Sequence, residues 1–201
     1  MKELLIESKG IRTKEYFIPP FELREGELVI LYLYGGAHFQ GIKTELVNVF
    51  TGRIKNENVI VTKSLTYVDY FRESKFRSLF FPLRVGKYLK KSGNLESKFI
   101  QKIYEIPWIN KKTKINELHW NSKRLLSLYT TFSKTKHIVF ELAGLGPDDA
   151  KENYDIVRNE IRKGGSAILI DWASDMKDDC DKFITLEWLI DFEENKTVFK
   201  I

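Results

Sequence analysis

Three stretches of this sequence predict an α/β fold with a mostly parallel sheet. The first is 135–171. A short apolar run at 137–140 leads into a turn at 141–147 and a helical stretch at 148–163. Gly164 and Gly165 break that helix, and a second apolar run fills 166–170. Strand, turn, helix, glycine turn and strand make a βαβ unit. Continuous β-branched runs suit strands covered on both faces, hence a parallel sheet with a right-handed crossover. The second stretch is 27–52, where a buried-type run at 27–33 passes through a glycine-containing loop into a helical pattern at 45–51, closed by Gly52. The third is 71–132, which is rich in helix signals. With 201 residues, 43% of them apolar, the chain can bury one sizeable core. The expectation is one domain over 1–201 with a helical subdomain inserted at 71–132.

In chain order, 2–7 and 14–18 read as short edge strands with a turn at Arg12 and Thr13. Pro19 and Pro20 end the second strand, because a residue before proline is pushed out of the helical region. Residues 21–26 read as a turn ending in Gly26. A further strand is expected at 58–62 and a short segment at 67–71. Pro82 can open a helix running to about Lys91, with 92–94 as its break. Residues 95–106 form a second helix, with Leu95, Phe99, Ile103 and Ile106 on one face. Pro107 ends it. Residues 120–132 form a third, with Leu125, Leu128 and Phe132 inward. Asp148 caps the helix 149–162, whose acidic start and basic end, Arg162 and Lys163, suit the dipole. Leu31, Val139, Ile168 and Leu169 are expected to be buried. A strand is expected near 182–186, with a hairpin at Glu194 and Asn195 in the tail.

The formal net charge is +5. That excess permits anionic partners without demanding them. Cys180 is the one cysteine, so no internal disulfide forms, which fits a reducing compartment. His38, His119 and His137 show no metal-ligand spacing. Asp171, Asp175, Asp178 and Asp179 crowd one turn and read as an exposed helix start in preference to a metal cluster. The apolar part of the N-terminus is too short for a signal peptide, and no run reaches 18 apolar residues. The expected location is the cytoplasm. Two basic runs stand out, Lys111, Lys112 and Lys114 in one, and Arg84, Lys87, Lys90 and Lys91 in the other. The first reads as a solvated face, with a phosphate- or acid-binding patch as its other reading; the second could contact nucleic-acid phosphate. A nucleic-acid-binding module is the alternative, without an aromatic-interleaved motif to support it.

The loop at 34–44 carries the chemistry of most interest. It runs Tyr34, Gly35, Gly36, Ala37, His38, Phe39, Gln40, Gly41, Ile42, Lys43, Thr44. A strand, a glycine-bearing loop, Lys-Thr and a helix have the layout of a Walker A phosphate loop. In such a loop backbone amides wrap a phosphate, lysine reaches the terminal phosphates and a hydroxyl ligates magnesium. Gly41, Lys43 and Thr44 are the candidate binding residues. Ala37 and Ile42 stand where two glycines are needed, and β-branched Ile42 resists positive φ.

Residues 143–147, Ala-Gly-Leu-Gly-Pro, resemble the D-loop of ATP-binding cassette (ABC) ATPases, and the order of the other parts follows the same family. The resemblance implies a P-loop NTPase-like sheet with N-terminal antiparallel edge strands and a helical subdomain. Gly26 and Glu27 match the family's turn before the phosphate-loop strand, and Cys180 and Asp181 its "CD" turn. The departures are many. Ungapped, the Walker B Asp falls on Val139 and the catalytic Glu on Phe140; a one-residue deletion puts Glu141 in the catalytic place instead. Both registers stay open. Leu118, His119, Trp120, Asn121 and Ser122 stand where the family has its ATP-touching signature. Gly146 replaces the D-loop Asp, Ala173 the switch His, and no Gln occurs between Gln40 and Gln101.

These losses imply a degenerate, non-hydrolysing subunit that binds a transporter membrane subunit or an active ATPase partner, alone or as a homo- or heterodimer. It would lie peripherally at the inner face of the membrane. No cofactor is then expected. The alternative is an active ATPase that binds ATP and magnesium through Lys43 and Thr44, with Glu141 catalytic. Phe71, Phe76, Leu79, Phe80 and Phe81 crowd thirteen residues and are the expected partner surface; a subdomain core is the other reading.

Overall fold

The computed structural model describes residues 2–69, 71 and 81–190. The chain opens with β1 (Leu4–Ser8), β2 (Ile11–Arg12), β3 (Tyr16–Ile18), β4 (Phe21–Arg24) and β5 (Leu28–Tyr32). Helix α1 (Phe39–Phe50), β6 (Val59–Val61) and β7 (Thr66–Tyr67) follow. The helical middle holds α2 (Val85–Ser92), α3 (Lys98–Glu105) and α4 (Trp120–Phe132). The last part is β8 (His137–Phe140), α5 (Pro147–Ile161), β9 (Ser166–Asp171), β10 (Lys182–Thr185) and β11 (Glu187–Trp188).

The central sheet has the order β10-β5-β9-β8-β7, and every neighbouring pair in it is parallel. Burial explains why. Val29, Leu31, Val139 and Ile168 face one core, with α1; Leu28, Ile30, Ile138, Ala167 and Leu169 face the other, with Tyr154, Val157 and Ile161 of α5. Alternate residues of one strand thus enter opposite cores, and neither face is left for water. Each fully buried Val, Leu or Ile contributes roughly 1.5–3 kcal/mol, so these strands are committed to the sheet centre. The four residues expected to be buried, Leu31, Val139, Ile168 and Leu169, are all at most 2% exposed.

The return of α5 to β9 needs glycine. Gly164 sits at φ +87°, and a Cβ on Gly165 would lie 2.8 Å from the carbonyl oxygens of Glu160 and Lys136. Two antiparallel sheets flank the parallel one, β4-β1-β6 and β11-β3-β2.

Several expected boundaries need correction. Residues 11–12 are a strand, and the turn lies beyond them: the Thr13 hydroxyl accepts the amides of Glu15 and Tyr16. Residues 21–24 are a strand paired with β1, with the turn confined to Glu25 and Gly26. Helix α2 starts at Val85, not Pro82, because Arg84 bridges Lys114 and the Val85 amide donates to Thr113 O at 2.9 Å. Helix α3 starts at Lys98, where Ser97 Oγ accepts the Phe99 amide, so Leu95 stands outside it and 46% exposed. Gly146, followed by Pro147, precedes α5; Asp148 is in its first turn and does not cap it. Among the helices only α4 has the expected bounds, with Leu125, Leu128 and Phe132 buried.

Between α2 and α4 lies a third apolar cluster of Val85, Leu89, Ile100, Ile103, Ile109, Ile115 and Leu126. Phe71 packs against it, ring to ring with Tyr88 at 5.5 Å. Phe81 is 71% exposed. Phe76, Leu79, Phe80, Glu194 and Asn195 lie outside the described residues.

Candidate functional site

The site expected at 34–44 is mostly helix. Helix α1 begins at Phe39, six residues before the predicted pattern, so Gly41, Lys43 and Thr44 all lie within it. The Phe39 amide donates to Gly36 O at 3.2 Å and the Ile42 amide to His38 O at 3.1 Å. Those amides are spent on the chain itself. Ile42 is buried in the core under α1, which is the reason the helix extends back: its side chain, with those of Phe39 and Leu46, fills the apolar face. Gly41 is exposed on the outer face, and a Cβ there would meet nothing within 4 Å. No close approach requires glycine at that position. The Thr44 hydroxyl donates to Gln40 O at 2.7 Å, the i−4 back-bond common in helices.

Lys43 points inward. Its Nζ lies 2.8 Å from Glu141 Oε2, and the two side chains are 6% and 1% exposed. The other carboxylate oxygen, Oε1, accepts the Tyr67 hydroxyl at 2.8 Å. Arg124 Nη1 donates to Glu141 O at 3.4 Å, and Nη2 donates to Ala143 O. Asp171 closes the group: Oδ2 accepts the Leu142 amide at 2.8 Å, and Oδ1 accepts the amides of Trp172 and Ala173. Two buried cations and two buried carboxylates therefore sit together at the carboxyl end of β8 and β9. Such a group is held because removing one member leaves an opposite charge uncompensated in low dielectric.

The electrostatics follow from this burial. Desolvation, then the Glu141 carboxylate, pushes the Tyr67 phenol far up, so it stays a donor. Burial lowers the Arg124 guanidinium to about 10, against the pull of Glu141, Tyr67 and Asp171. Burial raises Asp171, opposed by its three amide donors.

Of the two registers left open by the sequence, only one brings a carboxylate to Lys43. Val139 and Phe140 are buried in opposite apolar cores, whereas Glu141 meets the lysine. The signature-like segment also has its own partners. His119 precedes α4 without a side-chain cap, and Trp120 lies under the Arg124 guanidinium at 5.7 Å, near Gly144 of the D-loop-like turn. Asn121 donates to Glu152 and accepts from Asn153, both at 2.7 Å, which ties α4 to α5. Ala173 holds its amide to Asp171. Aromatic rings crowd the start of α1: Phe39 on Trp172 at 4.6 Å and His38 on Trp188 at 5.6 Å. Among the described residues no group of three or more His, Cys, Asp or Glu could hold a metal ion, and no helix is long and apolar enough to cross a membrane. Asp181 fastens β10 by accepting the Leu28 amide at 2.8 Å and Arg158 Nη1 at 2.6 Å.

Spacing alone does not reveal Tyr67 or Arg124 as members of the buried group. A signal for Arg124 does exist, a charged residue directly before the inward positions of α4.

No family model matches the sequence, and no curated protein matches it. Solved structures do match in fold. One described as the ATP binding subunit of an ABC transporter aligns with a TM-score of 0.65 and 13% identity, covering 91% of this chain and 86% of that one. A nucleotide-free ATP-binding cassette from an ABC transporter gives 0.62 and 15%, over 100% and 96%. The cbiO1 protein of Clostridium perfringens, described as part of the ABC transporter complex cbiONQ, gives 0.60 and 13%, over 98% and 94%. With a five-stranded parallel sheet, antiparallel edge strands and helices arranged in this way, the chain has the P-loop NTPase-like fold of an ABC transporter ATP-binding cassette.

Proposed function

We propose that this chain is a non-hydrolysing subunit with the ATP-binding-cassette fold, acting by binding a partner. That partner would be a transporter membrane subunit or an active ATPase. The observation that carries this role is the buried pair of Lys43 and Glu141, 2.8 Å apart. Phosphoryl transfer depends on positioned groups that meet the phosphates, the metal and the attacking water. Here the lysine is neutralised inside the protein, the Thr44 hydroxyl is bonded to its own helix, and Ile42 fills the core where a loop needs glycine. Opening the pair to admit a nucleotide would strand Glu141 without its cation. The three neighbours named above come from ABC transporters, which supports a membrane subunit as the partner and a position at the inner membrane face through it.

The direct test is calorimetric titration with ATP and magnesium, with turnover assayed on the purified chain. We expect no binding tighter than millimolar and no hydrolysis. A micromolar Kd, or turnover abolished by Lys43→Ala in a folded variant, would show an active ATPase using Lys43 and Glu141. Purification from native membranes should carry a membrane-spanning transporter subunit with the chain. Recovery of only soluble partners would remove the transport context.

A further inference from the structure

The two basic runs, separate in sequence, meet around one cavity. It has a volume of about 500 Å³ and is walled by Arg84, Lys87 and Lys90 from the start and length of α2, and by Lys111 from the turn after α3. Its apolar wall is Leu95, Ile100 and Tyr104. The approach of the two segments is built into the backbone. The Gly86 amide donates to Lys111 O at 3.0 Å, and a Cβ on Gly86 would lie 2.9 Å from that oxygen. Glycine at 86 is therefore what brings Lys111 against α2.

Several surface cations are already neutralised. Lys114, Lys136 and Lys151 each pair with a carboxylate, Glu117, Glu25 and Asp155 respectively. The four cations of the cavity have no such pair among the described residues, and no acidic side chain is among the described residues lining it. Lys87 and Lys90 stand three apart on one helix, where like charges repel. Leu95, at the mouth, leaves an apolar side chain 46% exposed. Unscreened cations beside exposed apolar surface suit a ligand that supplies both missing halves.

We propose that this cavity binds a phosphate-bearing amphiphile, with the phosphoryl group held by Arg84, Lys87, Lys90 and Lys111 and an apolar part laid on Leu95, Ile100 and Tyr104. A phosphoryl group answers four cations better than one carboxylate does. It carries close to two charges and three acceptor oxygens, which match a guanidinium fork and ammonium points. A volume of this size is that of a small-molecule site. The ligand is either a soluble phosphorylated molecule or the headgroup region of an anionic lipid. The site is independent of the hydrolysis question, because Lys43 and Glu141 take no part in it.

The test titrates the full chain with phenyl phosphate and with inorganic phosphate, followed by calorimetry at low salt. A parallel arm sediments the chain with vesicles of phosphatidic acid in phosphatidylcholine, against phosphatidylcholine alone. We expect saturable binding of phenyl phosphate, several-fold tighter than inorganic phosphate. Lys87→Gln with Lys90→Gln should weaken it about tenfold or more, as loss of two charge-assisted contacts requires. Lys9→Gln with Lys55→Gln removes the same charge from exposed sites outside the cavity lining and should change it less than twofold. Vesicle binding with the same dependence on Lys87 and Lys90 identifies a lipid; phenyl phosphate binding without it identifies a soluble ligand. Absence of saturable binding in both arms, or equal weakening in the two double variants, overturns the proposal.

Discussion

Cations occur in two very different settings in this molecule. At the carboxyl end of the parallel sheet, Lys43 and Arg124 are 5% exposed, each against carboxylate or carbonyl oxygens. Along α2, Arg84, Lys87 and Lys90 are exposed, face a cavity and have no carboxylate partner among the described residues. The residue types are the same and the chemistry is opposite. A buried cation must be neutralised by the fold itself, and Lys43 here already faces Glu141. A solvated cation costs little to leave open and can still meet an anion. The presence of lysine in a loop-like pattern therefore says less about phosphate binding than the carboxylate it faces.

Breaking the buried set should give the largest effects. Glu141→Ala strands Lys43 and the Tyr67 hydroxyl, and denaturant unfolding should show a loss of about 3–5 kcal/mol. Replacing both partners, Lys43→Met with Glu141→Leu, should recover most of that loss, because an apolar pair of similar volume carries no desolvation penalty. Equal losses in the single and double variants would mean that the ion pair is not what holds this end of the sheet.

Ile42→Gly, which supplies a glycine the phosphate loop lacks, should cost about 3–5 kcal/mol through a core cavity and a weakened helix. Calorimetry should find no gain in ATP binding, since Lys43 keeps its partner. Nucleotide binding by this variant would place the obstacle in the loop and not in the ion pair.

Asp171→Asn should cost about 1–3 kcal/mol, because an amide cannot accept all three backbone donors at once. A melting temperature unchanged from the parent would deny Asp171 its part in joining β8 to β9.

His137 gives a smaller, pH-dependent effect. Burial, then Lys63 and Lys136, holds its imidazole below the ordinary 6.5. The folded state thus takes up a proton less readily than the unfolded state. Its stability is fully present above about 6.5 and is lost as pH falls through the lower folded value. Unfolding free energies measured from about pH 7.5 down to about 5 should fall more steeply for the parent than for His137→Phe. The smallest effect belongs to the open cations. Lys87→Gln with Lys90→Gln should alter stability by no more than about 0.5 kcal/mol, in contrast with the buried set.

Much of the fold was legible because it depends on local pattern. The runs at 137–140 and 166–170, the glycines after α5 and the apolar period of α4 are each read within a dozen residues, and each holds in the structure. Helix α1 starts earlier than the pattern at 45–51 predicts, for a physical reason. Gly41 and the Lys-Thr pair resemble a phosphate loop by spacing, but Ile42 and Phe39 gain more by entering the core, and that burial winds the segment into helix. Glycine in a helix costs only about 1 kcal/mol, so Gly41 could not prevent it.

By itself the sequence determined the α/β class, the βαβ unit over 135–171 and the bounds of α4. Those follow from residue type and short-range period, which act along the chain. Only the tertiary structure decided what the charges do. Lys43 and Glu141 are 98 positions apart and meet as a buried pair, while Lys111 reaches α2 because Gly86 has no side chain. Electrostatic energy depends on distance and burial in space, and neither is written in the spacing of residues along the chain.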